Sequence, residues 1–600
     1  MPWRVSTSPR SLSVAIQRLK ALVPFEGLDW NTKSEALSGF TERNGRQLRM
    51  QLTRREFVYA IREAEGDLPK LAEMGYPTVE SFMAAGKDTA DIEAVARMAM
   101  DVFREYGFAG VSTSGLVFIT EAGRAVAEHD TPLELVMLQF CKANQRVGPG
   151  DAPVFPMRVL ATALLIADSL RVEELGVITL CDEPTDVEMA GWPAIKAYRS
   201  EVLRVATSTK SRVHATLGDR YTLLADCCRH TFGPRLVIRR VETVFRDYPD
   251  AVARVLQFVG LGTWKGMGTN KKLWVAPGAR EKLLLLKDQR IEIPEKWQNV
   301  SSDDPEYLKQ WLGALNVTEL PWAQPDALRI VIRGRIRDLS TSPGLPAAVK
   351  NTLATLDDAV TAARGGAELA VIESQLRGST LPAVTEHYAR VTSKSPEERQ
   401  DILDLLARIQ TGHQENGALW LEAGAWRALT SLDGAPMISH GCKFDEHLNP
   451  LSYAPGGPAS PDMFSEYGTA VLVVEVTTLR NNEQWVREGA SVIDHVQSFI
   501  KAHKGLPVIG VFVCPTVYYR TLWQFFMLAR ESWLGQPIPV VPLTIAQFRG
   551  VLVAAYEHGH TFHEVAAQIT DLAAQAENCR TYEEWRSKLD TTFPAAVTSE

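Results

Sequence analysis

Residues 461–496 read PDMFSEYGTAVLVVEVTTLRNNEQWVREGASVIDHV, and this stretch decides the fold of the C-terminal part. Asp462 precedes a turn, and Ala470–Val476 is then apolar except for one carboxylate, Glu475. A β-branched run of this length predicts a strand buried on both faces. An ionised carboxylate inside such a strand is costly unless something cationic compensates it. No Lys or Arg lies between Asp462 and Arg480, which makes a metal ion the simplest partner. The charged segment that follows predicts a helix carrying Glu488 and His495, seven residues apart and therefore on one helix face.

Working outward, Ser395-Pro396-Glu397-Glu398 is a helix start signal that opens the last domain. Helices are expected over 397–410 and 417–432, followed by the Asp462/Glu475 strands and a helix over 483–503. A strand over 506–514, a helix over 518–533, a strand over 538–543 and a helix over 546–557 complete the order. Such alternation predicts an α/β sheet with helices on both faces. Glu422, in LWLEAGAWRAL, is the one acidic residue on an otherwise aromatic and aliphatic helix face. The motif HGHTFHE, with His558, His560 and His563, resembles metal-ligand spacing but lies away from the carboxylate strand, and a solvated loop is the preferred reading. Cys227 and Cys228 beside His230 have poor spacing for zinc.

Upstream, residues 296–395 read as a helical linker, entered through the Pro- and Ser-punctuated EIPEKWQNVSSDDPEYL. Residues 1–295 read as helices with short hairpins. Thr89–Glu105 is a helix by its apolar spacing, with acidic residues near its start. A strand, a Ser-Thr-Ser-Gly turn and a second strand through 117–120 follow it. The pattern returns as a helix over 251–259, the loop TWKGMGTNKK, a strand at 273–275 and a new helix from 278–280. A helix leading into a hairpin and a further helix is how a winged helix reads in one dimension. Lys265, Lys271 and Lys272, with Trp264 and Trp274 interleaved, make up the second wing, and Arg235, Arg239 and Arg240 precede it. These six basic residues are the candidate DNA contacts. A hairpin on a protein-interaction winged helix is the alternative.

Charge supports the division. The net charge is −8. Residues 1–300 hold 40 Lys+Arg against 37 Asp+Glu, whereas 301–600 hold 24 against 35. Within 201–300 the count is 18 against 10. A basic segment in an otherwise acidic chain binds a phosphate backbone locally while the whole stays soluble. Six hundred residues predict several domains of roughly 100–200 residues each. No apolar run approaches the roughly 20 residues of a membrane helix. Seven cysteines without a CxxC pair argue against a disulfide framework or zinc ribbon and fit a reducing cytoplasm.

Asp462 and Glu475, thirteen apart, can be folded onto one end of the sheet, where both carboxylates and the Val476 carbonyl meet one hard cation. Oxygen-only ligation suits Mg2+. Proline-aspartate, a dozen residues, then Glu475-Val476-Thr477 resembles the PD-(D/E)xK nuclease core. More specifically, LWLEAGAWRAL, PLSYAPGGPASPD, the VVEVTTLRNNEQWVREGASVIDHV run and IPVVPLTIAQF resemble the AlwI-type restriction endonucleases, which include type IIS enzymes and natural strand-nicking relatives. The resemblance is close over roughly 396–560 and looser upstream. It implies a multidomain α+β protein with a winged-helix-like DNA-recognition region at 1–295, a helical linker at 296–395 and a nuclease domain at 396–600.

The resemblance further implies a bacterial, cytoplasmic enzyme that binds a short asymmetric site in double-stranded DNA and cuts a few base pairs away with Mg2+. Asp462 and Glu475 match metal ligands, with the Val476 carbonyl beside them. Glu422, Glu488 and His495 match accessory positions. Thr477 stands where the superfamily usually has Lys, so Glu488, His495 or Gln484 are candidates for orienting the attacking water. A second cleavage domain, from another copy or a small partner subunit, is the implied partner for cutting both strands. A winged-helix regulator without nuclease activity and a repair-type nuclease without site specificity are the rival readings.

Overall fold

The computed structural model describes residues 3, 5–6, 11–31, 33–34, 50–65, 78, 81, 89–129, 132–145, 153–208, 217–234, 236–266, 271–341, 345–454, 460–468, 470–532 and 535–596. Arg235, the loop tip 267–270 and residues 455–459, all singled out in the sequence, lie outside the described residues. The chain divides into two compact units. One comprises Met1–Trp264 with Asn270–Gly334, the other Lys265–Thr269 with Arg335–Glu600.

The first unit is largely helical. Helix Thr89–Glu105 leads into an antiparallel hairpin of Ala109–Val111 and Val117–Ile119, in which Ala109 faces Ile119. Gly115 turns this hairpin at φ +88, a conformation that favours glycine. Helix Glu121–Glu128 follows, started by the Thr120 side chain, which accepts from the Gly123 amide. The second run comprises helix Tyr248–Phe258, strands Gly262–Lys265 and Lys272–Val275, and helix Arg280–Asp288. It differs from the expected two-stranded hairpin because Ser169–Arg171 joins as a third strand, pairing antiparallel with Lys272–Val275. Trp264 is buried and only Trp274 is exposed, so the aromatic pair is divided between core and surface.

In the second unit, five strands form one sheet in sequential order: β1 Ser439–His440, β2 Met463–Tyr467, β3 Ala470–Val476, β4 Val508–Cys514 and β5 Val540–Thr544. β1, β2 and β3 are antiparallel neighbours, while β3, β4 and β5 run parallel. Helix Gly489–Ala502 connects β3 to β4, and helix Tyr519–Arg530 connects β4 to β5. All seven residues of β4 are buried, as its Val, Ile, Phe and Cys run predicts for a central parallel strand. The helices and strands expected after residue 395 are all present, with ends moved by a few residues.

Two features position the site. Gly510, in β4, lets helix Gly489–Ala502 approach the sheet, since a Cβ there would lie 2.7 Å from Val496 Cγ2. At the start of this unit, Arg335 makes ion pairs with Glu446 and Glu373. Burial pushes the Glu446 carboxyl up, but the Arg335 charge and hydrogen bond outweigh it and hold the group below its ordinary value. Glu446 lies between strands Lys443–Phe444 and Pro450–Ser452, which pair antiparallel and lead to Ala454, a backbone partner of the site.

Gly510→Ala is therefore expected to lower the melting temperature, at a cost of about 1–3 kcal/mol for overpacking. It should also slow any reaction that depends on His495, which lies one residue before Val496 on the displaced helix. Thermal denaturation followed by circular dichroism checks the first effect; an unchanged midpoint would show that the helix does not depend on this close approach.

Candidate active site

The β2–β3 hairpin sets the two central carboxylates. Met463 faces Val474 and Tyr467 faces Ala470, so continuing the register one step places Asp462 opposite Glu475. Asp462 Oδ2 accepts from the Val476 amide at 2.8 Å, which ties the residue before β2 to the end of β3. Glu475 is the sixth of the seven residues of β3 and is buried, 6% exposed. Its Oε1 lies 2.5 Å from His495 Nδ1, on the helix that Gly510 admits.

The remaining side chains converge from two helices and a loop. Glu488 ends a wide π-type turn, Gln484–Glu488, that runs into helix Gly489–Ala502. Its Oε1 accepts from Thr477 Oγ1 at 3.1 Å. Thr477 is buried just past β3 and also accepts from the Leu479 amide. Glu422 lies on helix Gly417–Thr430, and its Oε2 accepts from the Ala454 amide at 2.8 Å.

Electrostatics confirm that these groups share one environment. Burial pushes the Asp462 carboxyl well above its ordinary range, and the charges of Glu475 and Glu422 push it further; the Val476 amide opposes this. Burial also raises Glu475, against the opposing His495 contact. Glu488 is raised by burial, opposed by the Thr477 hydroxyl. Glu422 is pushed up to about 7, first by burial and then by Glu475 and Glu488, with the Ala454 amide acting against them. Burial raises all four carboxyls, and the Glu475 charge further raises Asp462, Glu422 and Glu488, which creates a demand for positive charge.

The donor set fits a hard divalent cation. Asp462 and Glu475 are acceptor-only oxygens in the ionised state, and neither hydrogen-bonds a Lys or Arg among the described residues. Among the described residues no group of three or more His, Cys, Asp or Glu side chains closes around a cation on its own. The expected set needs only two side chains, completed by the Val476 carbonyl. His558 and His560, with rings 5.7 Å apart, flank a helix end at Gly559, and Cys227 and Cys228 lie on helix Leu217–Phe232; neither forms such a group.

One expected candidate is corrected. Gln484 does not face the site as a water-orienting group. It is fully buried, its Nε2 donates to the Leu479 and Thr516 carbonyls, and its Oε1 accepts from the Tyr518 amide. It fastens the loop after β3 to the loop after β4. Sequence reasoning missed this role because a glutamine at a helix start looks the same whether it faces water or clamps two loops. The Ala454 amide on Glu422 was also not legible, since backbone donors leave no mark in a sequence.

The described basic candidates are at least partly exposed. Arg239 and Arg240 are exposed, and Lys271 Nζ lies 4.2 Å from the Trp264 ring. Lys272 is partly exposed, and Lys265 Nζ lies 3.4 Å from Asp401 Oδ2.

A mixed sheet with paired carboxylates at the end of its hairpin, one of them bonded to a helix histidine, is an arrangement suited to phosphodiester hydrolysis. The model of the AlwI restriction endonuclease family matches residues 194–551, and the chain belongs to this family of DNA endonucleases. No curated protein matches the chain. Among solved structures, a similar chain is the small subunit (R.BspD6I2) of the heterodimeric restriction endonuclease R.BspD6I, with 22% identity and a TM-score of 0.28, covering 32% of this chain and 99% of that one. Among the described residues no helix is long and apolar enough to cross a membrane.

The raised carboxyls carry a sign. A carboxyl whose folded pKa lies above its unfolded value contributes stability at low pH that is lost as pH rises through the folded value. In chelator, the melting temperature should therefore fall between about pH 4.3, the unfolded Glu value, and pH 7, the value for Glu422. Asp462→Asn should flatten that fall. A melting temperature that rises over this interval, in the absence of divalent cations, would contradict the assignment of the cluster.

Proposed function

We propose that the protein is a type IIS site-specific deoxyribonuclease or nicking enzyme. It binds a short asymmetric duplex site and uses Mg2+ to hydrolyse phosphodiester bonds a few base pairs away. The observation that carries this reading is the placement of half-buried Asp462 opposite buried Glu475 across the hairpin, in a chain of an endonuclease family. Residues 1–295 act as the recognition region, with winged-helix-like subdomains, and Arg235, Arg239, Arg240, Lys265, Lys271 and Lys272 contact phosphates. Residues 296–395 set the spacing, and residues 396–600 cut. A bacterial cytoplasm is the setting this activity fits.

Asp462, Glu475 and the Val476 carbonyl would hold the ion. When bound, Mg2+ supplies the positive charge that polarises the phosphodiester and acidifies a water ligand. Glu475 holds His495 by one ring nitrogen, which fixes the orientation of the imidazole. Thr477 cannot supply the charge that a Lys would; it donates to Glu488 and so orients that carboxylate toward the site. Glu422, pushed up to about 7, holds a proton over part of the neutral range and relieves repulsion in the cluster.

Two outcomes test this function. Asp462→Ala and Glu475→Ala should each remove plasmid cleavage, as should EDTA, with activity returning on addition of Mg2+. Specific binding should persist in both variants; its loss in a folded variant, or full cleavage in chelator, would count against the reading. The chain carries one Asp462/Glu475 pair, so a supercoiled single-site plasmid should accumulate as nicked circles before linear product forms. Linear product without a nicked intermediate, at a rate first-order in enzyme, would show that one chain cuts both strands.

A further inference from the structure

The turn that carries Glu488 also carries Trp485, and the loop that Gln484 fastens to it ends at Tyr518, the cap of the helix that begins with Tyr519 and Arg520. The guanidinium of Arg520 lies 5.3 Å from the Trp485 ring and 5.8 Å from the Tyr519 ring, and its Nε donates to the Tyr519 hydroxyl at 3.1 Å. Among the described residues Arg520 has no carboxylate partner. Trp523, one helical turn beyond Tyr519, is 46% exposed, Tyr519 is 49% exposed and Val486 is 59% exposed. A cluster of exposed aromatic rings around an arginine without a carboxylate partner calls for an explanation, because rings left in water contribute little to folding.

Local charge points to the occupant. Of the basic residues between Arg480 and Arg530, Lys501, Lys504 and Arg530 lie at the opposite end of the sheet and Arg487 pairs with Glu483, so Arg520 is the cation that stands among these rings. An exposed arginine set among aromatic rings is complementary to an anion whose units also present flat faces. Nucleic acid has both: arginine meets phosphate, and indole or phenol rings stack on bases or pack on sugars without regard to sequence. Placement agrees. The surface is made by the turn after β3 and the first turns of the helix after β4, and Trp485 is three residues before Glu488 on one turn.

We propose that Trp485, Tyr519, Arg520 and Trp523 form a platform that binds the DNA strand flanking the scissile phosphate, independently of its sequence. This rests on the endonuclease reading above. Arg520 holds a backbone phosphate while Tyr519 and Trp523 pack on the adjoining nucleotide. Gln484 is a positioning residue, because its three hydrogen bonds keep the platform in fixed relation to Glu488. The platform lets a site-reading enzyme cut outside the sequence it reads.

The test uses the full chain and two readouts. Arg520→Ala and Trp523→Ala should each lower kcat/KM for first-strand cutting by about tenfold, mostly through KM, and reduce its dependence on salt. Arg520→Lys and Trp523→Phe should restore most of the loss, which a merely structural role for these exposed residues would not require. In parallel, wild-type chain held with Ca2+ on a duplex substituted with 5-iododeoxyuridine is irradiated, and cross-links should map to Tyr519, Trp523 or Trp485. If the enzyme cuts DNA but both alanine variants match wild type, or cross-links avoid these residues, the platform is wrong while the nuclease reading stands. If the variants nick normally and lose only second-strand cutting, the surface serves a protein partner and the proposal is overturned. A chain that neither cuts nor cross-links overturns both readings.

Discussion

Everything in the C-terminal unit depends on placing two carboxylates, Asp462 and Glu475, opposite each other at the buried end of one hairpin. Left alone, the two charges in this setting oppose folding through lost hydration and mutual repulsion. The surrounding structure shows how that opposition is contained. The Val476 amide takes one Asp462 oxygen, His495 takes one Glu475 oxygen, and Val471, Leu472, Val473 and Val474 supply the burial that holds the strand in place. The opposition that remains is what the proposed divalent cation would relieve.

The accessory residues are held by the same economy of contacts. Thr477 occupies the position where related nucleases usually carry a Lys, and it spends its hydroxyl proton on Glu488. Positive charge is thus left to whatever the carboxylates bind, which fits four acidic groups raised by burial, three of them also by the Glu475 charge. The π-type turn at Gln484–Glu488 sets the phase of the helix, so that Glu488 and His495 meet two different residues of one strand end, Thr477 and Glu475. Gln484 keeps that turn from drifting.

Much of this was legible in the residues. The apolar run of β3 with a single glutamate announced a buried strand with an acidic interruption, because hydrophobic continuity and an uncompensated charge are both visible in one dimension. The helix–strand alternation after residue 395 was legible for the same reason. Less visible were contacts made by backbone atoms and by uncharged side chains, such as the Ala454 amide on Glu422 and the clamp of Gln484. The third strand, Ser169–Arg171, was missed because it joins a hairpin a hundred residues later, and sequence patterns record local order only. Lys265 showed a different limit: composition marked it as basic, but not that a carboxylate, Asp401, lies 3.4 Å away.

The most direct measurement of the central claim is calorimetric titration of the metal-free chain with Mg2+ or Mn2+ near pH 6.5, in two buffers of different ionisation enthalpy. Carboxyls whose hold on a proton is strengthened by burial, Glu422 up to about 7, release protons when a cation takes the proton's place. The account predicts saturable binding with net proton release, lost in Glu475→Ala. Binding that releases no protons, or that is unchanged in that variant, would contradict it.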